Sequence, residues 1–252
     1  GKAGLLEDEP RFDYSGGATC PSLLLEPSRT QSAPYTEYFG SSYYNLAGGP
    51  ALTTNYGISP EGLKNSSRID APSANGGWYT NGKSVAIGET HTCSIFAKLV
   101  SGSESNIVRF GFSLNGDKLT RYDLSDGTIN LADLNTTSSI EDYGNGWYRL
   151  IQTITATTSG TLREVFYSFN NAGDYEIYGH QVEEGSYPTS YIPNHSGGSV
   201  TRGVDDTATL DLSPIGLNGE DVTHFIDFKN NQFIARDNGG TTFRFSSNTA
   251  NY

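Results

Sequence analysis

The sequence predicts an all-β protein of short strands and tight turns, on three observations. Glycine is abundant, with 30 residues, and is accompanied by many serines and threonines and by 16 tyrosines, a stock suited to turns and half-buried strands. Runs rich in β-branched and aromatic residues recur at short intervals. Between residues 35 and 210 nothing sustains the 3.6-residue apolar stripe of a packed helix; Ile140-Glu141-Asp142-Tyr143 offers one turn at most.

Residues 1–34 read as an extended arm, because prolines at 10, 21, 27 and 34 prevent regular helix and limit sheet pairing. Within it Leu23-Leu24-Leu25 is apolar without alternation, which suits burial in a core or docking on a neighbour. From Thr36 to Tyr56 aromatics mix with Gly, Ser and Asn, a loop-rich composition. Strands are expected at 65–71, 83–87, 90–99, 106–114, 117–124, 127–131, 147–157, 162–169 and 174–183. Turn chemistry at Asn115-Gly116-Asp117 and Ser125-Asp126-Gly127 makes 106–131 a three-stranded meander. After Asp206 a strand at 207–212 and a loop at 214–219 lead to alternating runs at 224–228, 232–237 and 241–246. Their turns are Lys229-Asn230-Asn231 and Asn238-Gly239-Gly240, and so short a unit needs the main body, a neighbour or further chain to pair with. The expected organisation is thus an arm (1–34), a sandwich-sized body (35–206) and a small C-terminal β unit (207–252). No methionine is present even at position 1, which implies a processed product or part of a longer polypeptide.

A formal net charge of −12 argues against nucleic acid as a partner, since binding phosphates takes clustered Lys and Arg, and here they are scattered. No stretch approaches 18 apolar residues, and no basic-then-apolar start suggests a signal peptide, so membrane insertion is not expected. Cys20 and Cys93 are too few for a disulfide scaffold and too far apart in sequence for a C-x-x-C site; Cys93, in a strand-like run, is expected as a buried thiol.

Catalysis is not expected. Glycan hydrolysis usually needs two carboxyl groups at a set separation, and Glu141, Asp142, Glu183 and Glu184 are candidates only by residue type. The histidines at 91, 180, 195 and 224 lack metal-site spacing. No cofactor is implied, although Asp70, Asp123 or Asp174 could serve a structural calcium as scattered oxygen ligands.

The binding candidates are aromatic. Sugars pack their C–H faces on rings while amides and charged groups fix the hydroxyls. Asn75-Gly76-Gly77-Trp78-Tyr79-Thr80-Asn81 reads as a loop carrying such a set, with Trp78, Tyr79 and Asn75 as candidates. Tyr43 and Tyr44, near Tyr38 and Asn45, form a second. The same tyrosines also suit a subunit interface.

Four ordered segments carry a resemblance. GHQVEEGSYPTSYIP (179–193), followed by SVTRGVDD (199–206), resembles the closing strand of a jelly-roll module in bacteriophage fibre and spike proteins, roughly G-x-Q-x-E-x-G-x-x-x-T-S-Y-I-P-T and then V-T-R-x-x-D; Asn194 and His195 depart from it. RFDY (11–14), CP (20–21) and LLLEPSRT (23–30) look like the opening segment, SPEG (59–62) and TCSIFAK (92–98) like the first core strands, and GNGWYR (144–149) like a later one. The resemblance implies a non-enzymatic virion protein on the particle's exterior, whether fibre, spike or capsid decoration, with an antiparallel jelly-roll β-sandwich similar to carbohydrate-binding modules. It implies other virion proteins as partners, a homo-oligomer such as a trimer, and host-surface glycan as ligand; a purely structural assembly role is the alternative. It also implies that Trp147 is a core residue and that Glu183 has a structural hydrogen-bonding role.

Overall fold

The computed structural model describes residues 12–13 and 22–205. They fall into two compact units, one of residues 26–204 and one holding residues 12–13, 22–25 and 205. In the smaller unit, strand β1 (Phe12–Asp13) pairs antiparallel with β2 (Ser22–Leu23), Phe12 opposite Leu23.

The larger unit is an antiparallel jelly-roll β-sandwich. Its strands are β3 (Arg29–Gln31), β4 (Tyr44–Ala47), β5 (Ala51–Thr53), β6 (Ser67–Ala71), β7 (Gly77–Thr80), β8 (Lys83–Val85), β9 (Thr90–Leu99) and β10 (Ile107–Ser113). They continue with β11 (Asp117–Asp123), β12 (Thr128–Leu131), β13 (Thr136–Asp142), β14 (Trp147–Thr155), β15 (Gly160–Ser168), β16 (Gly173–Glu184) and β17 (Val200–Arg202). Sheet I runs β12-β11-β10-β15-β7-β4, with β8 also on β15, and sheet II runs β13-β14-β9-β16-β6-β5. A short ladder joins β17 to β3.

Period-two alternation drives the stacking of the sheets. Val108, Phe110 and Phe112 of β10 and Leu162 and Phe166 of β15 face inward against Cys93, Ile95 and Ala97 of β9 and Tyr175 and Ile177 of β16. Burying each such large apolar side chain contributes about 1.5–3 kcal/mol. Trp78 stacks on Phe166, with ring centres 5.9 Å apart and planes 12° from parallel, and Tyr44 meets Trp78 edge-on at 5.1 Å.

Two glycines let polar groups enter this core. Gly111 has φ +143°, and a Cβ there would lie 2.0 Å from Gln152 Oε1. Gln152 reaches across from β14, accepting the Phe112 N–H at 2.8 Å and donating to Lys118 O at 2.6 Å and Thr120 Oγ1 at 3.0 Å. Gly179, at φ +61°, forms a bulge: Tyr178 pairs with Phe96 and Gln181 with Ser94, so two residues of β16 oppose Ile95 alone. The bulge inverts the strand's parity. Before it Ile177 points inward and Tyr178 outward; after it His180 and Val182 are in the core while Gln181 and Glu183 turn to the outer side of sheet II.

All nine strands expected from sequence occur within two residues of their expected limits. Four expectations need correction. The segment 140–143 is no helical turn: β13 ends at Asp142, its Thr- and Ser-rich run pairing with β14. The loop-rich region 36–56 contains β4 and β5, short strands that only their long-range partners β7 and β6 stabilise. Residues 77–80 are a strand and not a loop, because alternation places Trp78 and Thr80 in the core. Residues 29–33, assigned to the arm, join the main unit: β3 pairs with β17, and Gln31 and Ala33 are buried. Cys93 is a buried free thiol, whereas Cys20 and the C-terminal unit expected at 207–252 lie outside the described residues.

Candidate functional site

The alternation that fills the core leaves the odd positions of β10, β11 and β15 on the outer side of sheet I. Strand register sorts them into three rows. The first is Arg163-Ser113-Asp117, the second Asn45-Tyr79-Val165-Gly111-Leu119, and the third Ala47-Gly77-Tyr167-Arg109-Arg121. From Ser113 to Arg109 the face spans about 14 Å, four residues at ~3.4 Å each.

An open depression of about 360 Å³ lies on this face, lined by Tyr79, Ser113, Asp117, Arg163, Val165 and Tyr167. Tyr79 and Tyr167 are half-buried, so each ring keeps part of its surface exposed beside hydroxyl, carboxylate and guanidinium groups. Gly111 leaves the middle of the floor without a side chain, and it is glycine because of Gln152 beneath. Burial raises the Tyr167 phenol above its ordinary pKa, helped by Asp117 and Tyr79 and opposed by Arg109. The rim is braced by polar contacts. Asn45 Nδ2 donates to Asn81 Oδ1 at 2.8 Å, and an Arg109 N–H donates to Asn75 Oδ1. Arg109 lies 5.6 Å from the Tyr167 ring centre and 6.0 Å from that of Phe169, and Arg121 lies 4.0 Å from Phe169.

The residues proposed from sequence divide between face and core. Tyr79 and Asn75 are on the face. Trp78 is fully buried and Tyr44 nearly so, both within this chain's own core, so neither ring is presented to a glycan or to a neighbouring subunit. Tyr43 is half-buried and donates its hydroxyl to Glu164 Oε2 at 3.1 Å; burial pushes this phenol far above its usual range. Tyr38 is exposed on a second depression of about 390 Å³ that also includes Tyr35, Glu37, Thr54, Asn55, Asn65 and His195. Glu37 there accepts from Tyr178, Tyr191 and Asn65 and acts as a brace.

The carboxylates considered for catalysis do not converge. Glu141 and Asp142 are exposed on edge strand β13 and Glu184 is exposed, whereas Glu183 is buried. Glu183 accepts from Thr189 N at 2.8 Å, Thr189 Oγ1 at 2.5 Å and Gln181 Nε2 at 2.6 Å, the structural role the resemblance implied. Trp147 is buried against Phe96 and Tyr178 on the outer side of sheet II, beneath Tyr191. Of the residues considered for calcium, Asp70 and Asp174 pair with Arg68, and Asp123 Oδ1 accepts the Ser125 N–H at 2.9 Å. Among the described residues no three His, Cys, Asp or Glu side chains gather as metal ligands.

Sequence reasoning missed Arg109, Arg121, Arg163, Asp117, Ser113 and Tyr167. The alternation in IVRFGFS and LREVFYS marks Arg109, Ser113, Arg163 and Tyr167 as outward-facing. What it does not show is that β15 lies beside β10, some 50 residues away in sequence.

No protein-family model matches the chain, and no curated protein does. Among solved structures it is similar to the CBM22-1 xylan-binding domain of Paenibacillus barcinonensis Xyn10C, with 17% identity, coverage of 63% of this chain and 94% of that one, and a TM-score of 0.37. It is also similar to the C-terminal family 22 carbohydrate-binding module of Clostridium thermocellum Xyn10B, with 13% identity, 63% and 96% coverage, and a TM-score of 0.40. The CBM22-1–GH10 modules of the same xylanase, complexed with xylohexaose, give 12% identity and a TM-score of 0.40, over 67% of this chain and 30% of that one. At such low similarity the site has to be judged by this chain's own residues.

Proposed function

We propose that the chain is a non-catalytic glycan-binding protein whose receptor surface is the outer face of sheet I. The observation that carries this reading is the pair of part-exposed rings, Tyr79 and Tyr167, flanking an open depression lined by Ser113, Asp117 and Arg163. Rings supply the apolar contact for sugar C–H faces, and the hydroxyl, carboxylate and guanidinium groups supply directional partners for sugar hydroxyls. The face is shallow, which suits an oligosaccharide laid along it and gives no enclosure for excluding water during hydrolysis.

The test is titration of the chain against oligosaccharides by calorimetry. Tyr79→Ala and Tyr167→Ala should each weaken binding about tenfold or more, a loss of about 1.4 kcal/mol, while the melting temperature changes little. Binding unchanged in both variants, or no glycan bound by the native chain, would sink the reading.

The setting we propose is the exterior of a bacteriophage particle, with the chain as fibre, spike or decoration protein, self-associated and joined to other virion proteins. Its support is the four-segment sequence resemblance, which also makes host-surface glycan the target. Immunogold labelling of intact particles tests the location, and light scattering of the purified chain tests the oligomer.

A further inference from the structure

On the premise that sheet I is the glycan-binding face, we propose that its ligand is an acidic glycan, whose anionic substituent is held by the cross-strand pair Arg109 and Arg121. The two arginines are directly opposite each other on neighbouring strands. Like charges in that relation destabilise a sheet, and no carboxylate among the described residues lies within ion-pair distance of either, Asp117 acting on Arg109 only at longer range. Neither Arg109, Arg121 nor Arg163 is ion-paired among the described residues, whereas on sheet II Arg68 is paired with Asp174 and Lys98 with Glu176. Arg121 has no hydrogen-bond acceptor among the described residues, and the buried Nε of Arg109 has none either.

Aromatic rings supply what carboxylates do not. Phe169 lies 4.0 Å from the Arg121 guanidinium, and Tyr167 lies 5.6 Å from that of Arg109. Such contacts hold a guanidinium in place without neutralising it, which leaves its planar fork of donors able to take a carboxylate or sulfate oxygen pair. The pair continues the row that holds Tyr167, so a sugar ring on Tyr167 would place its substituents beside two cations. In a chain of net charge −12, a local pair of arginines without ion-pair partners discriminates: the acidic surroundings repel polyanions in general, and this row gives one anionic group a place. Asp117, two rows away, is free to accept from neutral hydroxyls.

The experiment uses the full chain on a printed array of neutral, uronate-bearing and sulfated oligosaccharides, followed by titration of the best binder against its carboxyl-reduced or desulfated form. The expected result is at least tenfold tighter binding of the charged form, with affinity falling as salt rises. The double variant R109Q/R121Q should abolish that preference, so that the charged and uncharged forms bind it with equal affinity. Loss with carboxyl reduction identifies a uronate, and loss with desulfation a sulfate ester. Equal binding of both forms, or a preference that survives in the double variant, overturns the acidic-glycan inference and leaves the glycan-binding reading standing. No binding to any glycan on the array overturns both.

Discussion

The two outer faces of this sandwich are built on opposite principles. On sheet II, residues 186–194 lie across the strands, and the polar groups beneath are matched. Arg149 donates to Ser94 Oγ and to Thr189 O at 2.7 Å, Gln181 Oε1 accepts the Ile192 N–H at 2.7 Å, and Glu183 takes three donors. On sheet I the depression between Tyr79 and Tyr167 is open, and none of Arg109, Arg121 and Arg163 has an ion-pair partner among the described residues, Asp117 acting on Arg109 only at longer range. Polar side chains shut away from water have to be paired, whereas those left in water need not be. The covered face therefore fixes the fold, and the open face is available for a ligand.

Breaking the covered face should have the largest effect. Glu183→Ala removes the acceptor of three buried donors: the N–H and hydroxyl of Thr189 lose their main partner, at about 1–3 kcal/mol each, while Gln181 Nε2 keeps Thr189 O at 3.2 Å. A loss of about 3–5 kcal/mol in denaturant unfolding is expected, with sugar affinity retained by molecules that remain folded. A loss under about 1 kcal/mol would mean that the segment over sheet II is not latched through this carboxylate.

The next effect separates the core from both faces through pH. His180 sits among Tyr44, Trp78 and Phe110, and burial pushes its pKa down to about 3. The unfolded chain takes up this proton below about 6.5, so the contribution is fully present above that pH and is lost as pH falls toward 3, about 2–3 kcal/mol by pH 4.5. Glu164 runs the other way. Burial raises its pKa, with Thr80 and Tyr43 as donors opposing the rise, so its contribution is complete below the ordinary carboxylate range and is lost as pH climbs through the folded value. His180→Phe should flatten the acid limb of stability against pH, even though Tyr44 loses a partner and the neutral-pH stability drops. An acid limb as steep as the native one would rule His180 out as its source.

How much of this could be read from the sequence differs between the same two faces. Sheet II was legible in part: GHQVEEGSYPTSYIP is one contiguous stretch, and the structural role expected of Glu183 is what its hydrogen bonds show, whereas the bulge at Gly179 and the return of residues 186–194 over the strands depend on pairing with β9 and were not expected. Sheet I was only half legible. Tyr79 and Asn75 came out of the Gly-rich run around Trp78, but treating that run as a loop brought Trp78 with it, when one residue of strand parity separates the fully buried indole from the part-exposed phenol. Arg109, Arg121 and Tyr167 form a row only because β15 lies next to β10 and β10 next to β11, and pairing between distant strands leaves no local trace in the chain.

The smallest effect measures the open face directly. If Arg109 and Arg121 repel each other across the ladder, the coupling between Arg109→Gln and Arg121→Gln in a double-mutant cycle should be unfavourable in the native pair by about 0.3–0.5 kcal/mol. Single variants cannot show this, because Arg121→Gln also gives up its contact with Phe169, worth about 0.5–1 kcal/mol at an exposed site and enough to mask the relief. In the cycle that contact is lost in both backgrounds and cancels. The coupling should shrink between low and high salt, since half-buried charges are partly screened, and it should change sign when a bound acidic glycan bridges the two guanidiniums. A favourable coupling in the unliganded protein would mean that the pair is already bridged, and the row would then be a structural element like those of sheet II.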